Sequence, residues 1–461
     1  MIRLNDIRQV YFLGIGGIGM SALARYFKHA GCLVSGYDRT ESELTRQLQV
    51  EGIAIHYDDR PEWLSSHLQD KGVLVVYTPA VPAELGERVW LEQQKFSMLK
   101  RSEVLGLICN ELRCCAVAGT HGKTSVSTML AHLLHQSSLG CTAFLGGISK
   151  NYQSNLLLHA TSSWAVAEAD EFDRSFLRLF PELAVITSMD SDHLDIYGTQ
   201  DAIVQSFHDF VAQIKPDGAL IYKKGLAVDQ SRNGKIRYFS YALKEQADFY
   251  AENIQLVNEA YHFDLVYSEG RMENMELNYP GLMNVENAVA ACALAILAGV
   301  VEDELKVALA DYHGVKRRFD IQYRDEQYVL IDDYAHHPEE LKATITSVRD
   351  MFPGRKLTGI FQPHLYSRTR DFATDFAAQL DRLDEVILLD IYPAREQPIP
   401  GVSSRVIFDQ LKSDAKQLVG KEKLPEIVKQ LEPGVLLMMG AGDIATMVEP
   451  IRNSLQEITH V

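Results

Sequence analysis

Gly119-Thr120-His121-Gly122-Lys123-Thr124 restricts what this chain can fold into more than any other stretch. It lies between the apolar run Cys114 to Ala118, which reads as a buried strand, and Ser125 to Leu134, which reads as a helix. A strand, a tight glycine turn and a helix start direct successive backbone N–H groups at one point, where the helix dipole favours negative charge. Lys123 adds a cation for β- and γ-phosphates, and the Thr124 hydroxyl a ligand for Mg²⁺. The general phosphate-loop pattern asks for an earlier glycine where this chain has Val117, so the loop is a shortened one carrying Gly119 and Gly122 only. Gly119, Thr120, His121, Gly122, Lys123, Thr124 and Ser125 are the candidate nucleotide-binding residues, in a parallel α/β sheet.

A chain of 461 residues exceeds a single core and predicts several domains. A formal net charge of −17 argues against nucleic acid or an anionic membrane as partner, so local cations and backbone dipoles must hold the phosphates. The six cysteines form no CxxC pair and read as reduced core thiols, which predicts a cytoplasmic protein. The N-terminus runs straight into a strand, with no expected signal peptide. The longest apolar run, Ala288 to Val301, is too short to span a bilayer and predicts a buried helix.

Three α/β domains are expected. In residues 1–111, the strand Val10 to Leu13 leads into Gly14, Gly16, Gly17 and Gly19, and a helix follows from Met20 to His29. A second strand ends at Asp38, matching the dinucleotide fingerprint with its acid about 20 positions on. That pattern specifies a diphosphate at a helix start near a ribose-binding acid, and a UDP-sugar satisfies it as well as NAD does. Residues 112–313 hold the phosphate loop. There Glu168-Ala-Asp170-Glu171-Phe-Asp173 closes one strand, and Asp190, Asp192, His193 and Asp195 follow another. Acids at strand C-termini lie where open α/β sheets bind ligands. Glu168 and His193 are the chosen metal ligands beside Thr124, with Asp170, Glu171 and Asp192 as alternatives to Glu168. Mg²⁺ is the expected ion, and an imidazole ligand makes Mn²⁺ a workable substitute. Asn284 and Asn287 open the apolar helix, as caps or as amides for an adenine ring. Residues 314–461 read as a second doubly wound sheet of four strands, with a helix over Asp371 to Leu380. Arg318, beside Arg317, is a candidate nucleotide-binding cation. His336 and His337 diverge on an extended chain, which suggests positioning more than a metal pair.

Taken together these motifs resemble the Mur ligase family over nearly the whole chain. The resemblance rests on Gly14 to Met20, Gly119 to Thr124, Glu168 to Glu171, Asp192-His193, Asp333 to Pro338 and Gln362 to Arg370, in that order. It implies a Rossmann-like N-terminal domain binding a UDP-sugar, a central P-loop-type ATPase domain with a mainly parallel sheet, and a Rossmann-like C-terminal domain receiving an amino acid. It further implies ATP-driven amide formation between the lactyl carboxylate of UDP-N-acetylmuramate and L-alanine. Lys123, Glu168, His193 and His336 are then the candidate catalytic residues. Gly14, Gly16, Gly17, Gly19, Asp38, His336, Arg368 and Arg370 are the candidate substrate contacts. Two positions depart from the family pattern: Met283 replaces a histidine ahead of Asn284, and Leu365 stands where some relatives carry arginine. The rival readings are a sibling ligase adding a peptide or another amino acid, and a nicotinamide-dependent dehydrogenase. The dehydrogenase leaves Gly119 to Thr124 unexplained, and a pocket distinguishes one methylene by only about 1–3 kcal/mol.

Overall fold

The computed structural model describes residues 4–68, 72–190, 197–394 and 396–459, which form an α/β fold around three sheets dominated by parallel strands. His193, with Asp192 and Asp195, lies outside the described residues.

The first sheet has five parallel strands in the order Ala54–His56, Leu33–Tyr37, Gln9–Leu13, Val73–Tyr77, Ser97–Lys100. Its central strand is sealed on both faces, with Val10, Tyr11, Phe12 and Leu13 fully buried, as expected for a parallel strand covered by crossover helices. The helix after the glycines runs Ile18–His29, two residues earlier than the sequence indicates, because Gly17 already serves as its N-cap. The two edge strands are short and partly exposed, and carry no apolar run that would reveal them.

The central sheet has ten strands. Its inner strand Arg113–Ala118 pairs in parallel with Trp164–Ala169 on one side and Leu183–Ile186 on the other. In that register Val117 lies opposite Glu168 and Ala118 opposite Ile186, so the phosphate loop, the acid loop and the Thr187-Ser188 turn leave the sheet at the same edge. The phosphate-loop helix spans Lys123–Gln136 and is buried from Thr124 to Leu134. The apolar run is the helix Leu282–Ala298, fully buried from Ala288 to Ala295. No helix among the described residues is long and apolar enough to cross a membrane.

The third sheet has six strands where the sequence suggests four, in the order Asp320–Arg324, Val329–Asp333, Val435–Met439, Leu357–Phe361, Glu385–Leu389, Lys416–Val419. The two additional strands are the edges; Asp320–Arg324 is antiparallel, and both carry polar residues that break the apolar pattern. The helix expected over Asp371 to Leu380 is two helices, Tyr366–Asp371 and Ala373–Leu380. They are separated at Phe372, whose φ of −115° is not helical.

The chain divides into two compact units. One comprises Met1–Leu256, His262–Asn278 and Val285–His313, and the other Val257–Tyr261, Tyr279–Asn284 and Gly314–Val461. Within the first unit a polar network joins the glycine-loop helix to the strand Ser154–Leu157 of the central sheet. The buried Asn155 amide donates to the Ile18 carbonyl at 2.6 Å and to Ser21 Oγ at 2.8 Å, while Arg25 donates to Asn155 Oδ1. Arg25 also grips Glu51 through two nitrogens at 2.9 and 2.7 Å. Truncating Asn155 would strand buried donors and acceptors, each worth about 1–3 kcal/mol.

Candidate active site

The phosphate loop is built from two glycines with left-handed torsions and a clamp from the neighbouring strand end. Gly119 has φ 138°, and a Cβ there would stand 2.1 Å from Thr187 Oγ1 and 2.9 Å from the Ser188 nitrogen. Gly122, at φ 82°, is the N-cap of the Lys123–Gln136 helix. Ser188 Oγ accepts from the His121 amide at 2.7 Å and lies 2.9 Å from Thr120 Oγ1, which in turn accepts from the Asp190 amide at 3.1 Å. Thr187 Oγ1 donates to the His121 carbonyl. The loop is thereby held rigid from outside. The Thr120 side chain and the His121 backbone thus serve to brace the loop itself.

Lys123 and Thr124 then diverge onto two carboxylates. Thr124 Oγ1 donates to Glu168 Oε2 at 2.9 Å. Lys123 Nζ contacts both Glu171 oxygens, at 3.0 and 2.7 Å, and donates to the Gly119 carbonyl at 2.7 Å. The acid cluster thus separates by role: Glu168 meets the hydroxyl and Glu171 meets the ammonium. The Glu171 side chain is 1% exposed and that of Lys123 13%. Burial works against the Lys123 charge, but Glu171, Asp170 and Glu168 outweigh it and hold the ammonium above its ordinary range. Burial likewise pushes the Glu171 carboxyl up, to about 7, against the pull of Lys123. Gly146 completes this arrangement from an adjacent strand: its Cβ would lie 2.1 Å from Glu168 Oε2, so a side chain there would expel the carboxylate.

Among the described residues, no cluster of three or more His, Cys, Asp or Glu side chains is placed to hold a metal. The adjoining Thr124 hydroxyl and Glu168 carboxylate still suit Mg²⁺. This hard ion keeps several waters and takes few protein oxygens beside phosphate oxygens. Asn287 belongs to the same neighbourhood, its Oδ1 3.4 Å from where a Gly122 Cβ would stand. Asn284 differs: its side-chain amide donates to the Pro280 carbonyl at 2.5 Å, a local bond to the backbone four residues earlier.

In the first domain the Gly14–Gly19 turn is closed by Asp38. Asp38 Oδ2 accepts from the Gly16 amide at 2.7 Å, and the Gly14 and Ile15 amides donate to the Tyr37 carbonyl. Gly14 has φ 84°, and a Cβ on Gly16 would meet Asp38 Oδ2 at 2.8 Å. The acid read as a ribose ligand therefore also anchors the turn. Gly17 caps the helix, and Gly19 faces Arg101.

On the third sheet, Asp333 Oδ2 and Oδ1 accept from the Phe319 and Ala335 amides at 2.7 and 2.8 Å, fixing the segments that carry Arg318 and His336. Burial raises the Asp333 carboxyl despite the nearby Arg318. His336 Nδ1 lies 3.0 Å from the Tyr334 carbonyl; since a carbonyl only accepts, Nδ1 is the donor and Nε2 is the acceptor in the neutral ring. Glu340 also contacts Nδ1, at 3.0 Å. Arg318 lies over the Tyr334 ring at 4.8 Å and beside Glu340 at 3.9 Å. The two arginines of the Gln362–Arg370 stretch differ: Arg368 is 7% exposed, whereas Arg370 is exposed and donates to Asp371 at 2.7 Å. Leu365 is buried at φ 71°, a strained torsion for leucine, just before the helix Tyr366–Asp371.

Sequence reasoning missed Thr187, Ser188 and Gly146 as supports of the loop, and Arg101. Thr187 and Ser188 directly follow the strand Leu183–Ile186 just before the Asp190 region, which is a usable signal. Nothing in the sequence marks Gly146, whose role depends on the pairing of distant strands.

Residues 9–113 match the Mur ligase family, catalytic domain; residues 117–295 match the Mur ligase middle domain; and residues 317–442 match the Mur ligase, glutamate ligase domain. The chain belongs to the Mur ligase family of ATP-dependent ligases. It is 53% identical over 453 residues to the UDP-N-acetylmuramate–L-alanine ligase of Parabacteroides distasonis, covering 98% of each chain. The enzyme of the same name from Phocaeicola vulgatus is 50% identical over 450 residues, covering 97% of this chain and 98% of the other. Among solved structures, the UDP-N-acetylmuramate–alanine ligase from Thermotoga maritima superposes with a TM-score of 0.81 at 27% identity, covering 97% of this chain and 99% of that one.

Proposed function

We propose that this chain joins L-alanine to the lactyl carboxylate of UDP-N-acetylmuramate at the expense of ATP, in peptidoglycan precursor synthesis. The observation that carries the ATP half is the convergence of Lys123, Thr124 and Glu168 on one helix start. The identities of the sugar nucleotide and amino acid rest on the likeness to the enzymes named above. The work is divided among residues 1–111 for the UDP-sugar, 112–313 for ATP and 314–461 for the amino acid, and the protein acts in the cytoplasm.

A carboxylate does not react with an amine in water. Here the γ-phosphoryl group passes from ATP to a carboxylate oxygen, giving ADP and an acyl phosphate. The alanine nitrogen then attacks the acyl carbon, inorganic phosphate leaves and the amine loses a proton. Phosphoryl transfer is mostly positioning and charge neutralisation. The helix-start amides of Lys123, Thr124 and Ser125 cradle the phosphates, and Lys123 turns from Glu171 toward the γ-phosphate. Mg²⁺, held by Thr124 and Glu168, would neutralise the β- and γ-oxygens; His193 is a further ligand proposed on sequence alone. Asn284, Asn287 and Arg318 are assigned to the nucleotide. His336, with its acceptor at Nε2, is suited to take up a proton from the alanine ammonium. Arg368 is better placed than Arg370 for a buried carboxylate, and Asp38 holds the turn that receives the UDP diphosphate.

Phosphate release by the full chain tests the reading. We expect release from ATP only when UDP-N-acetylmuramate and an amino acid are both present, with L-alanine giving the highest kcat/KM of an amino-acid panel. Equal or faster turnover with a peptide or another amino acid would assign a sibling activity, and a change in NADH absorbance would point to a dehydrogenase.

A further inference from the structure

Arg101 stands at the Gly14–Gly19 turn, outside every motif considered above. It is the first residue of the helix Arg101–Asn110 and directly follows the edge strand Ser97–Lys100. A Cβ on Gly19 would lie 2.9 Å from its Nη1 and 3.0 Å from its Cδ. The guanidinium therefore rests against the first turn of the helix Ile18–His29, in space that only glycine leaves open. The same group reaches the acid loop of the central sheet: Nη2 donates to Asp170 Oδ2 at 3.4 Å. Asp170 lies in sequence between Glu168 and Glu171, the partners of Thr124 and Lys123.

This position is electrostatically unfavourable for a cation. Arg101 sits at its own helix N-terminus and against that of a second helix, and both ends carry positive partial charge. The long contact to Asp170, with side-chain exposures of 23% and 34%, compensates weakly because water screens it. A diphosphate at the turn would satisfy both helix ends and engage the planar guanidinium through two hydrogen bonds.

We propose that Arg101 binds and positions the diphosphate of the sugar nucleotide, exchanging Asp170 for the phosphate oxygens. The proposal rests on the UDP-sugar reading above. It makes Arg101 the link through which sugar-nucleotide occupancy reaches the acid loop: on binding, Asp170 loses its cation one residue from Glu171 and two from Glu168, the partners of Lys123 and Thr124.

Calorimetry on the full chain with UDP and UMP as probes decides it. Arg101→Ala should weaken UDP binding roughly 10- to 100-fold, the range of a lost charge-assisted contact, and weaken UMP clearly less. Arg101→Lys should recover part of the loss, as a point charge replacing a fork. Asp170→Asn should bind UDP at least as tightly as the parent. In turnover assays, Arg101→Ala should raise KM for UDP-N-acetylmuramate by a larger factor than KM for ATP. UDP affinity unaltered in Arg101→Ala, or an equal loss for UDP and UMP, would overturn the assignment. A parent protein that binds neither probe would instead remove the sugar-nucleotide reading, and this proposal with it.

Discussion

Lys123→Ala is expected to lower turnover at saturating ATP by at least roughly 10³-fold, since the ammonium meets charge that develops during phosphoryl transfer. The structure adds a second effect. Removing the ammonium leaves the buried Glu171 carboxylate without its cation, and breaking such a pair costs about 3–5 kcal/mol. Lys123→Ala should therefore also melt at a lower temperature than the parent. The double variant Lys123→Ala/Glu171→Gln separates the two, because it removes the orphaned charge. We expect it to recover much of the melting temperature and none of the turnover. Near-parental turnover in either variant would remove Lys123 from the chemistry.

Glu168→Gln should raise the Mg²⁺ concentration for half-maximal activity by at least roughly 10-fold, and lower turnover even at saturating metal. Glutamine keeps the size of the side chain and an oxygen for the Thr124 hydroxyl, but gives up the charge. Glu171→Gln is the matched control, since its carboxylate faces Lys123 and not Thr124. It should titrate with Mg²⁺ like the parent. The reverse pattern, with Glu171→Gln shifted and Glu168→Gln unshifted, would make Glu171 the ligand.

Features local in sequence were legible without the structure. Gly119, Gly122, Lys123 and Thr124 lie within one turn, so their joint role follows from a strand, two glycines and a helix. The inner strands were legible as continuous apolar runs, because both of their faces are buried. The edge strands Ala54–His56, Asp320–Arg324 and Lys416–Val419 were not, since one side of each has no neighbour and polar residues intrude. The choice between Glu168 and Glu171 also lay beyond the sequence. Both belong to one four-residue cluster, and only the register against Val117 and the room left by Gly146 bring Glu168 to Thr124. Asp38 shows the complementary case: the expected acid is present, but its bond to the Gly16 amide is a turn-closing role that spacing alone does not specify.

The Lys123–Glu171 pair has a consequence for discrimination among anions. A phosphate loop whose lysine already holds a buried carboxylate sets an entry threshold. A ligand that takes the ammonium must outweigh that contact and leave the buried Glu171 carboxyl to take up a proton. One charge-assisted contact returns only about 1.5–3 kcal/mol, so a small anion that meets the lysine alone would gain little from displacing Glu171. A triphosphate would gain more, by engaging several helix-start amides together with the lysine, so this pair would favour polyphosphates over small anions without any steric barrier.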